Sequence, residues 1–286
     1  MNLDALITRN FPTARHDYSP KDTILYALGV GVGGDPLDLQ ELPFVYEKSL
    51  RIIPSQASVI AYPGPWLTEP ALGINYVKVL HGEQSVIFER PLKPSGSVRG
   101  EYEVVGVDDK GPEKGAVVFF EKRIIDALDE VLICRVRSTY FLRGDGGCGS
   151  WGKSWGVPEA LPVRAPDRVI DLPTIPRLAL IYRLSGDLNP VHIDPGVAAK
   201  AGFAKPILHG LSTFGIACFA LVQHLCGGDP DRMTEIFARF SKPVFPGDTI
   251  RLELIEEGDS WRFRARVVER NEIVLDRGLA RFKKDT

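Results

Sequence analysis

Hydrophobic and polar residues alternate along several short stretches of the chain. Between residues 250 and 254, and again between 261 and 267, apolar side chains are separated by charged ones. Because successive side chains of a strand point to opposite faces, this pattern predicts half-buried antiparallel strands. A similar but less regular series runs from about Val77 to Leu142. We therefore expect strands in both halves of the chain.

A continuous apolar run precedes the strands of the second half. It extends from Leu208 to Leu225, and Gly227 and Gly228 follow it. The run is too long for one strand, and glycine is common just after the last turn of a helix. We predict a long buried helix here.

Two pairs of segments echo each other along the sequence. FERPLKPSGSVRGE (88–101) is similar to FSKPVFPGDTIRLE (240–253), and TILYAL (23–28) is weakly similar to ALIYRL (179–184). A repeat this long suits two tandem domains and not a solenoid. We predict an α+β fold in which a long buried helix followed by several strands occurs twice, with an antiparallel sheet wrapped around the helix in each half.

A segment rich in glycine and proline separates the two halves. It divides the chain into an N-terminal repeat (1–143), a linker or cover segment (144–176) and a C-terminal repeat (177–286). Trp151 and Trp155 are unusual in a free tether, so we expect the segment to lie packed along the surface.

The charge balance of the chain excludes one class of partner. The 286 residues include 35 Lys and Arg and 37 Asp and Glu, which gives a net charge of -2. Such a chain has no global field for binding nucleic acid, although local basic residues can still bind the phosphates of coenzyme A. The four cysteines show no CxxC spacing and are expected to be reduced; Cys218 and Cys226 are expected in the core.

Neither a signal peptide nor a membrane span is predicted. Asp4 and Arg9 interrupt what would be the apolar core of a signal, and the apolar stretch 214–222 is too short for the roughly 20 residues that a span needs. The last residues, 284–286, do not match the Ser-Lys-Leu type of peroxisomal address. We expect a freestanding cytoplasmic protein, with a peroxisomal location open if the source is eukaryotic.

The segment YRLSGDLNPVHIDP (182–195) holds the side chains best suited to chemistry. Asp187, Asn189 and His192 fall close together, and Pro190 prevents a helix from continuing through them. A carboxylate and an imidazole in one pocket can share the proton transfers of adding or removing water. Asp and Asn are also common in turns and caps, so the triplet alone is compatible with a structural role.

These residues resemble the hydratase 2 motif of the MaoC-like dehydratases. Similar segments extend over nearly the whole chain: YALGVG (26–31), KVLHGEQ (78–84), KPILHGLSTFG (205–215) and ARFSKPVFPG (238–247). Together they look like the two-halved hydratase 2 domain of the peroxisomal multifunctional enzymes of type 2. The resemblance implies a double hot-dog fold, a homodimer, and an (R)-specific 2-enoyl-CoA hydratase, equally a (3R)-3-hydroxyacyl-CoA dehydratase, that needs no metal or organic cofactor.

The resemblance also implies roles for individual residues. Asp187 and His192 would hold the water that adds syn to the double bond, Asn189 would help to position it, and the backbone N–H of Gly210 would bind the thioester carbonyl. A helix N-terminus suits that last role, because its free N–H groups and dipole favour developing negative charge. Contacts to the coenzyme A thioester would fall on His81, Gly82, Lys110, Leu188, Pro190, Val191 and Phe240. We interpret His209 as a structural residue at the start of the helix.

The first half departs from the motif at its centre. Gly29, Val30 and Gly31 stand opposite Ser185, Gly186 and Asp187, and no acid or His follows at the same spacing. We infer that this half has lost catalysis and encloses the acyl chain, which leaves one active site. A thioesterase or a non-catalytic acyl-CoA-binding subunit on the same fold is the alternative. The acyl-chain length, the pathway served and the division of acid and base between the pair stay open.

Overall fold

The computed structural model describes residues 1–283, so the predicted absence of a targeting signal at residues 284–286 lies outside the described residues. Five α-helices occur within this range: α1 (Leu3–Ile7), α2 (Pro20–Gly29), α3 (Leu178–Tyr182), α4 (Pro195–Lys200) and α5 (Gly210–Cys226). The strands are β1 (Ala14–Tyr18), β2 (Val79–Phe88), β3 (Gly96–Asp109), β4 (Ala116–Asp126), β5 (Leu132–Leu142), β6 (Trp151–Gly152), β7 (Arg168–Pro173), β8 (Met233–Phe240), β9 (Thr249–Glu257), β10 (Ser260–Val267) and β11 (Glu272–Phe282). No helix of the described range is long and apolar enough to cross a membrane.

All the strands belong to one antiparallel sheet that is built from two matching halves. Its order is β1-β3-β4-β5-β2-β8-β11-β10-β9-β7, with β6 paired to β3. Strands β2 and β8 join the halves, and Ser85 pairs with Phe237 across this seam. Ser85 and Phe237 are the same number of residues apart along the chain as Phe88 and Phe240, which stand at equivalent positions of the two similar segments. A local two-fold axis therefore passes between β2 and β8, and the predicted duplication has its structural counterpart.

The long helix of the second half is α5, and it is buried along most of its length. Its side chains from Ser212 to Val222 are buried, and Gly227 ends it in the left-handed conformation at φ +60°. A Cβ at Gly215 would lie 2.5 Å from Val30 Cγ1, so a glycine is needed where α5 passes the first half. The prediction of a helix from Leu208 is confirmed with a later start, because His209 has an extended backbone.

The prediction of a second long helix, in the first half, is wrong. Residues 42–78 instead form six short 3₁₀ turns, four of which have proline near their start. Proline supports the first turn of a helix but removes a hydrogen bond from any later one, so these residues cannot continue as one helix. The turn Pro54–Ser58 packs against α5 in place of the missing helix, and Tyr26 Oη donates to Ser55 Oγ at 2.9 Å.

A buried lysine holds this turn against the sheet. Lys122 of β4 is 3% exposed, and its Nζ donates to the carbonyl oxygens of Ala57, Ser58 and Ile60 at 2.9, 3.0 and 2.5 Å. Burial lowers the pKa of Lys122 to about 7. The three carbonyls use all three donors of the ammonium group, which offsets part of the cost of burying it.

The Gly/Pro-rich segment lies on the sheet. The ring of Trp155 packs edge-on against Phe119, with 5.0 Å between ring centroids, and Arg137 lies over the same indole at 5.4 Å. Its last part is not a linker, because β7 (Arg168–Pro173) pairs with β9 along the edge of the second half. Residues 168–173, which were predicted to belong to the linker or cover segment, are therefore part of the sheet of the second half.

Candidate active site

The loop between α3 and α4 places the predicted catalytic residues. Two 3₁₀ turns, Arg183–Ser185 and Pro190–His192, are separated by Gly186 at φ +120°, a backbone conformation that favours glycine. Asp187 Oδ1 accepts a hydrogen bond from the N–H of Asn189 at 3.1 Å, and Asn189 Oδ1 accepts one from the N–H of Val191, also at 3.1 Å. The side chain of Asn189 thus caps the second turn, which shapes the loop around the pair.

His192 faces Asp187 with an unprotonated ring nitrogen. Its Nδ1 lies 2.8 Å from the carbonyl oxygen of Ile207, and because a carbonyl only accepts, Nδ1 carries the proton. Nε2 therefore presents its lone pair, and it lies 3.9 Å from Asp187 Oδ2. Burial lowers the pKa of His192, against the opposing effects of its bond to Ile207 and the charge of Asp187. A neutral imidazole and a half-exposed carboxylate thus face one small space.

The separation of these two groups suits a bridging water. At 3.9 Å they are too far apart for a direct hydrogen bond. One water molecule at ordinary hydrogen-bond distance from both groups fits this separation. The arrangement can therefore hold a water and accept a proton from it.

Gly210 lies at the N-terminus of α5, next to this space. Its N–H makes no hydrogen bond to another residue of the described range 1–283. A Cβ at Gly210 would lie 3.3 Å from the Cδ1 and Cε1 atoms of Phe240, so glycine allows this ring to approach closely. A free N–H at a helix N-terminus is suited to binding an oxyanion.

The first half brings His81 to the same region. Its ring packs edge-on against Phe240, with 4.9 Å between centroids, and lies 5.3 Å from the ring of Tyr140. Burial lowers the pKa of His81 to about 4, so the ring is neutral. The neighbouring Gly82 has no room for a side chain, because a Cβ there would lie 2.8 Å from Thr139 Oγ1. The structure thus connects His81, Phe240 and Gly210 through direct packing.

The other predicted coenzyme A contacts lie at the surface. Leu188 and Pro190 are exposed on the loop beside Asp187, and Val191 is half-buried. Lys110 lies in the hairpin between β3 and β4, where its ammonium group pairs with Asp108. No hydrogen bond or ion pair within residues 1–283 connects Lys110 to the loop of Asp187.

Sequence reasoning treated His209 as structural and missed its contacts. Its Nε2 lies 3.1 Å from the carbonyl oxygen of Asp187, and its ring stacks on that of His192 with 3.6 Å between centroids. Burial, followed by the neighbouring His192, lowers the pKa of His209 to about 4. The only available signal was its position directly before Gly210.

Two tyrosines near the site were also missed. Burial raises the pKa of Tyr62 to about 12, with smaller contributions from Tyr76 and Asp187. The pKa of Tyr76 is raised by burial and then by Asp187. Both lie on the first half within the influence of the Asp187 charge, and neither belongs to a motif that sequence alone singles out.

Asp187, His192 and His209 form a group that resembles a metal site by distance. One ligand atom from each lies within 4.8 Å of the others. The rings of His192 and His209, however, are stacked with an interplanar angle of 24°. Imidazole binds a metal through a lone pair in the ring plane, and lone pairs in nearly parallel stacked planes do not converge on one ion. The ring geometry therefore fits a metal poorly.

A cavity of about 370 Å³ lies elsewhere, between the sheet and residues 155–158. None of the predicted site residues lines it. Its charged side chains are paired: Arg262 with Glu257, Arg281 with Glu235, and Arg137 with Glu121 outside the cavity. It offers no group with the chemistry found beside Asp187.

The chain is similar to known proteins over nearly its whole length. Residues 159–277 match the family described as MaoC like domain, and residues 16–144 match the MFE-2 hydratase 2 N-terminal domain. The chain is 37% identical to "Enoyl-CoA hydratase 2, peroxisomal" of Arabidopsis thaliana, over 96% of this chain and 93% of the relative. A crystal structure of a MaoC-like dehydratase from Phytophthora capsici superposes with a TM-score of 0.88 at 34% identity, over 100% of both chains.

A more distant structure identifies the fold. A Mycobacterium tuberculosis protein described as having a double hotdog fold superposes with a TM-score of 0.55 at 14% identity, over 96% of both chains. This likeness concerns the fold alone. It confirms the predicted double hot-dog architecture. Within residues 1–283 of this chain, the long helix occurs in the second half only.

Proposed function

The chain belongs to the MaoC-like hydratase 2 family and is a hydro-lyase of the (R)-specific enoyl-CoA hydratase type, and we propose that its Asp187–His192 pair carries out the reaction. The observation that carries this assignment is the facing of His192 Nε2 and Asp187 Oδ2 at 3.9 Å. Both atoms can accept a hydrogen bond from the same water molecule. The free N–H of Gly210 lies at the start of the neighbouring helix.

In the hydration direction, the pair takes one proton from the bound water as its oxygen attacks C3 of the enoyl thioester. The electrons of the double bond move to C2 and the thioester carbonyl, and the pair returns the proton to C2. One water is added, and the two groups end as they began. Because water and proton come from the same side, addition is syn. The (R)-specific type of the family implies that this side is the face of C3 whose attack gives the (3R)-hydroxyacyl product. The reverse sequence is dehydration.

We propose that Gly210 stabilises the enolate formed between these steps. Its N–H donates to the thioester oxygen, on which negative charge grows during the attack. Losing such a donor costs about 3–4 kcal/mol of transition-state stabilisation in comparable sites. Asn189 contributes by shaping the loop through its cap on Val191, and we propose that its amide N–H₂ also contacts the water.

We propose that the remaining contacts serve the thioester and coenzyme A. Phe240 and His81, which pack together beside Gly210, would flank the thioester. Gly82 lies next to them, and Leu188, Pro190 and Val191 border the loop on the outer side. Lys110, on its exposed hairpin, has the charge to bind a phosphate group.

We propose that the reaction uses no metal or organic cofactor. The thioester itself acidifies C2, and the carbonyl holds the charge. The stacked rings of His192 and His209 do not direct their lone pairs to one point. Activity that persists at full rate after dialysis against a chelator tests this proposal, and loss that is restored by a divalent metal would contradict it.

The assignment is tested by following the enoyl absorbance with crotonyl-CoA and trans-2-decenoyl-CoA for the wild type and Asp187→Asn. We expect loss of the enoyl band in the wild type and almost none in the variant. Release of free thiol in place of hydration would support the thioesterase alternative. Binding of the thioester without either reaction would support the non-catalytic subunit.

The compartment and the assembly are also proposals. We propose a homodimer, which light scattering on the purified chain would test. We propose a cytoplasmic location. The Arabidopsis relative is named as peroxisomal, and imaging of the tagged chain in its own cell distinguishes the two compartments.

A further inference from the structure

His209 contacts every part of the catalytic arrangement. It is the residue directly before Gly210, its ring stacks on His192 at 3.6 Å, and its Nε2 lies 3.1 Å from the backbone oxygen of Asp187. It is only 1% exposed. No other described residue links the loop of the catalytic pair with the N-terminus of α5 through both a stacked ring and a hydrogen bond.

The hydrogen bond fixes the tautomer of His209. A carbonyl oxygen only accepts, so Nε2 carries the proton and donates to Asp187. Nδ1 is then unprotonated, and it is buried without a hydrogen-bond partner in the described range. The two stacked histidines thus have opposite tautomers, because His192 carries its proton on Nδ1.

The surroundings keep this ring neutral. The titratable and charged groups that face it are Asp187, His192, Tyr182 and Arg183. Burial is the main effect, and it lowers the pKa of His209 to about 4. A neutral ring adds no positive charge beside His192 in either protonation state of that residue.

Buried rings of two tyrosines also pack next to His209. Tyr182 lies 4.9 Å from His209 between ring centroids, and Tyr26 of the first half lies 5.9 Å from Tyr182. Both tyrosines are at most 1% exposed. The ring of His209 is therefore held by contacts with Tyr182 as well as with His192.

From these contacts we propose that His209 is a positioning residue, which holds the backbone of Asp187 and the ring of His192 in register with the N–H of Gly210. It donates through Nε2 and stacks through its ring, and it exchanges no proton with the substrate. The proposal rests on the proposed hydratase function.

A matched pair of substitutions tests the hydrogen bond. The amide nitrogen of Gln can reach the position of Nε2, whereas that of Asn reaches only the position of Nδ1. We expect His209→Gln to keep kcat within about 10-fold of the wild type, because it keeps the donor. We expect His209→Asn and His209→Ala to lower kcat about 100-fold, as a displaced catalytic group does. KM for crotonyl-CoA should change less than about 3-fold in all three, because ground-state binding is kept.

The pH profile separates positioning from proton transfer. In His209→Gln the acid limb of kcat/KM should stay at the wild-type pH, because His209 is neutral throughout that range. A shift of the limb by about one pH unit would show that His209 itself titrates in the reaction, and would overturn the proposal. His224→Ala, at the exposed other end of α5, is the control and should retain wild-type values.

Two outcomes distinguish this inference from the proposed function. A wild-type chain that does not hydrate either thioester overturns the proposed function. An active wild type with equal loss in the Gln and Asn variants, or with full activity in the Ala variant, overturns the role of His209. If the variants do not fold, nitrogen NMR of the wild-type histidines still decides: His209 must be the neutral Nε2–H tautomer at pH 6, and the Nδ1–H tautomer or a protonated ring would contradict the proposal.

Discussion

The two halves share one strand order but differ at two corresponding places. After α3 the second half continues through Ser185 and Gly186 to Asp187, whereas in the first half α2 ends at Gly29 and the chain continues through Val30 and Gly31. The second half then forms α5, whereas the first forms a series of short turns. The second half therefore has an acid, an imidazole and the N-terminus of the long helix at these places, whereas the described residues at the corresponding positions of the first half provide no acid, no imidazole and no long helix. The comparison indicates that the site requires the loop and the helix together.

The first half has kept a supporting role at the contact between the halves. Ser212 Oγ of α5 donates to the carbonyl oxygen of Gly29 at 3.0 Å. A Cβ at Gly29 would lie 3.0 Å from the Cα of Tyr182, at the start of the catalytic loop. The end of α2 thus packs directly on the elements that carry the site. Duplication has left one half with the chemistry and the other with its support.

The largest effect is expected where the halves differ most. Asp187→Asn removes the carboxylate that faces His192, and we expect kcat to fall by about 10²- to 10⁴-fold, the usual contribution of a general acid or base. Steady-state hydration of crotonyl-CoA measures it. Asp194→Asn is the matched control: Asp194 lies in the same motif but caps α4, and Asn is an equally good cap. A large loss in the control would show that any change in the loop abolishes activity.

The pH dependence should also come from the second half alone. Since burial lowers the pKa of His192 below 6.5, the neutral base persists into mildly acidic solution. We expect kcat/KM to be constant near neutral pH and to fall about 10-fold per pH unit only below the lowered pKa. An acid limb that lies above pH 6.5 in a profile with crotonyl-CoA would contradict the assignment of His192 as the neutral acceptor.

A substitution in the first half should disturb the site through packing. Gly29→Ala forces its Cβ against the backbone of Tyr182, so we expect a loss of about 1–3 kcal/mol in the free energy of unfolding. Displacement of the loop should also lower kcat about 10-fold. Denaturant titration and steady-state kinetics measure the two effects. Gly156→Ala is the control, because a Cβ there meets nothing within 4 Å; wild-type kinetics for Gly29→Ala would show that the first half does not support the loop.

The smallest effect on activity is expected at Lys122, the lysine that holds the turn Pro54–Ser58 against the sheet. Lys122→Met leaves three buried carbonyls without their donor, and we expect the free energy of unfolding to fall by about 1–3 kcal/mol. Activity should change less than about 3-fold for variants assayed below their melting temperature, since Lys122 contacts no site residue. Urea titration at pH 7 measures the loss in the free energy of unfolding, and an unchanged urea midpoint would contradict the anchoring role of Lys122.

The same lysine predicts how stability depends on pH. Its pKa is lowered to about 7 in the folded chain and is about 10.4 when unfolded. Between these values the unfolded chain binds more protons, so wild-type stability should rise with pH relative to Lys122→Met. Urea midpoints of both chains at pH 7 and pH 9 test the sign. If the urea midpoint of the wild type minus that of Lys122→Met became smaller from pH 7 to pH 9, the predicted direction of the pH dependence would be contradicted.

Much of this architecture was predictable from periodicity and repeats. The alternation in β9 and β10 and the apolar run of α5 are local patterns, and burial of one face is enough to produce them. The missing helix of the first half is different. Its replacement depends on prolines that are acceptable at the start of a turn, and on Lys122, which lies far along the chain from the carbonyls it binds. Repeat symmetry favoured a second helix that local chemistry does not allow.

The residues of the site likewise differ in how far their positions could be predicted from the sequence. Asp187 and His192 lie in one short motif, so their proximity follows from the loop. The stacking of His209 on His192 depends on how the loop meets the start of α5, and no spacing rule describes that junction. Tyr62 and Tyr76 come from the other half and approach Asp187 only after the halves pair.

The most direct test of the account is the stereochemistry of water addition. Trans-2-decenoyl-CoA is hydrated in D₂O by the wild-type chain, and the product is analysed for its configuration at C3 and for the face of C2 that carries deuterium. The account predicts the (3R)-hydroxyacyl thioester with oxygen and deuterium added to the same face. Addition to opposite faces would contradict the placement of both proton transfer and water on the single Asp187–His192 pair, and a (3S) product would contradict the (R)-specific type of the reaction.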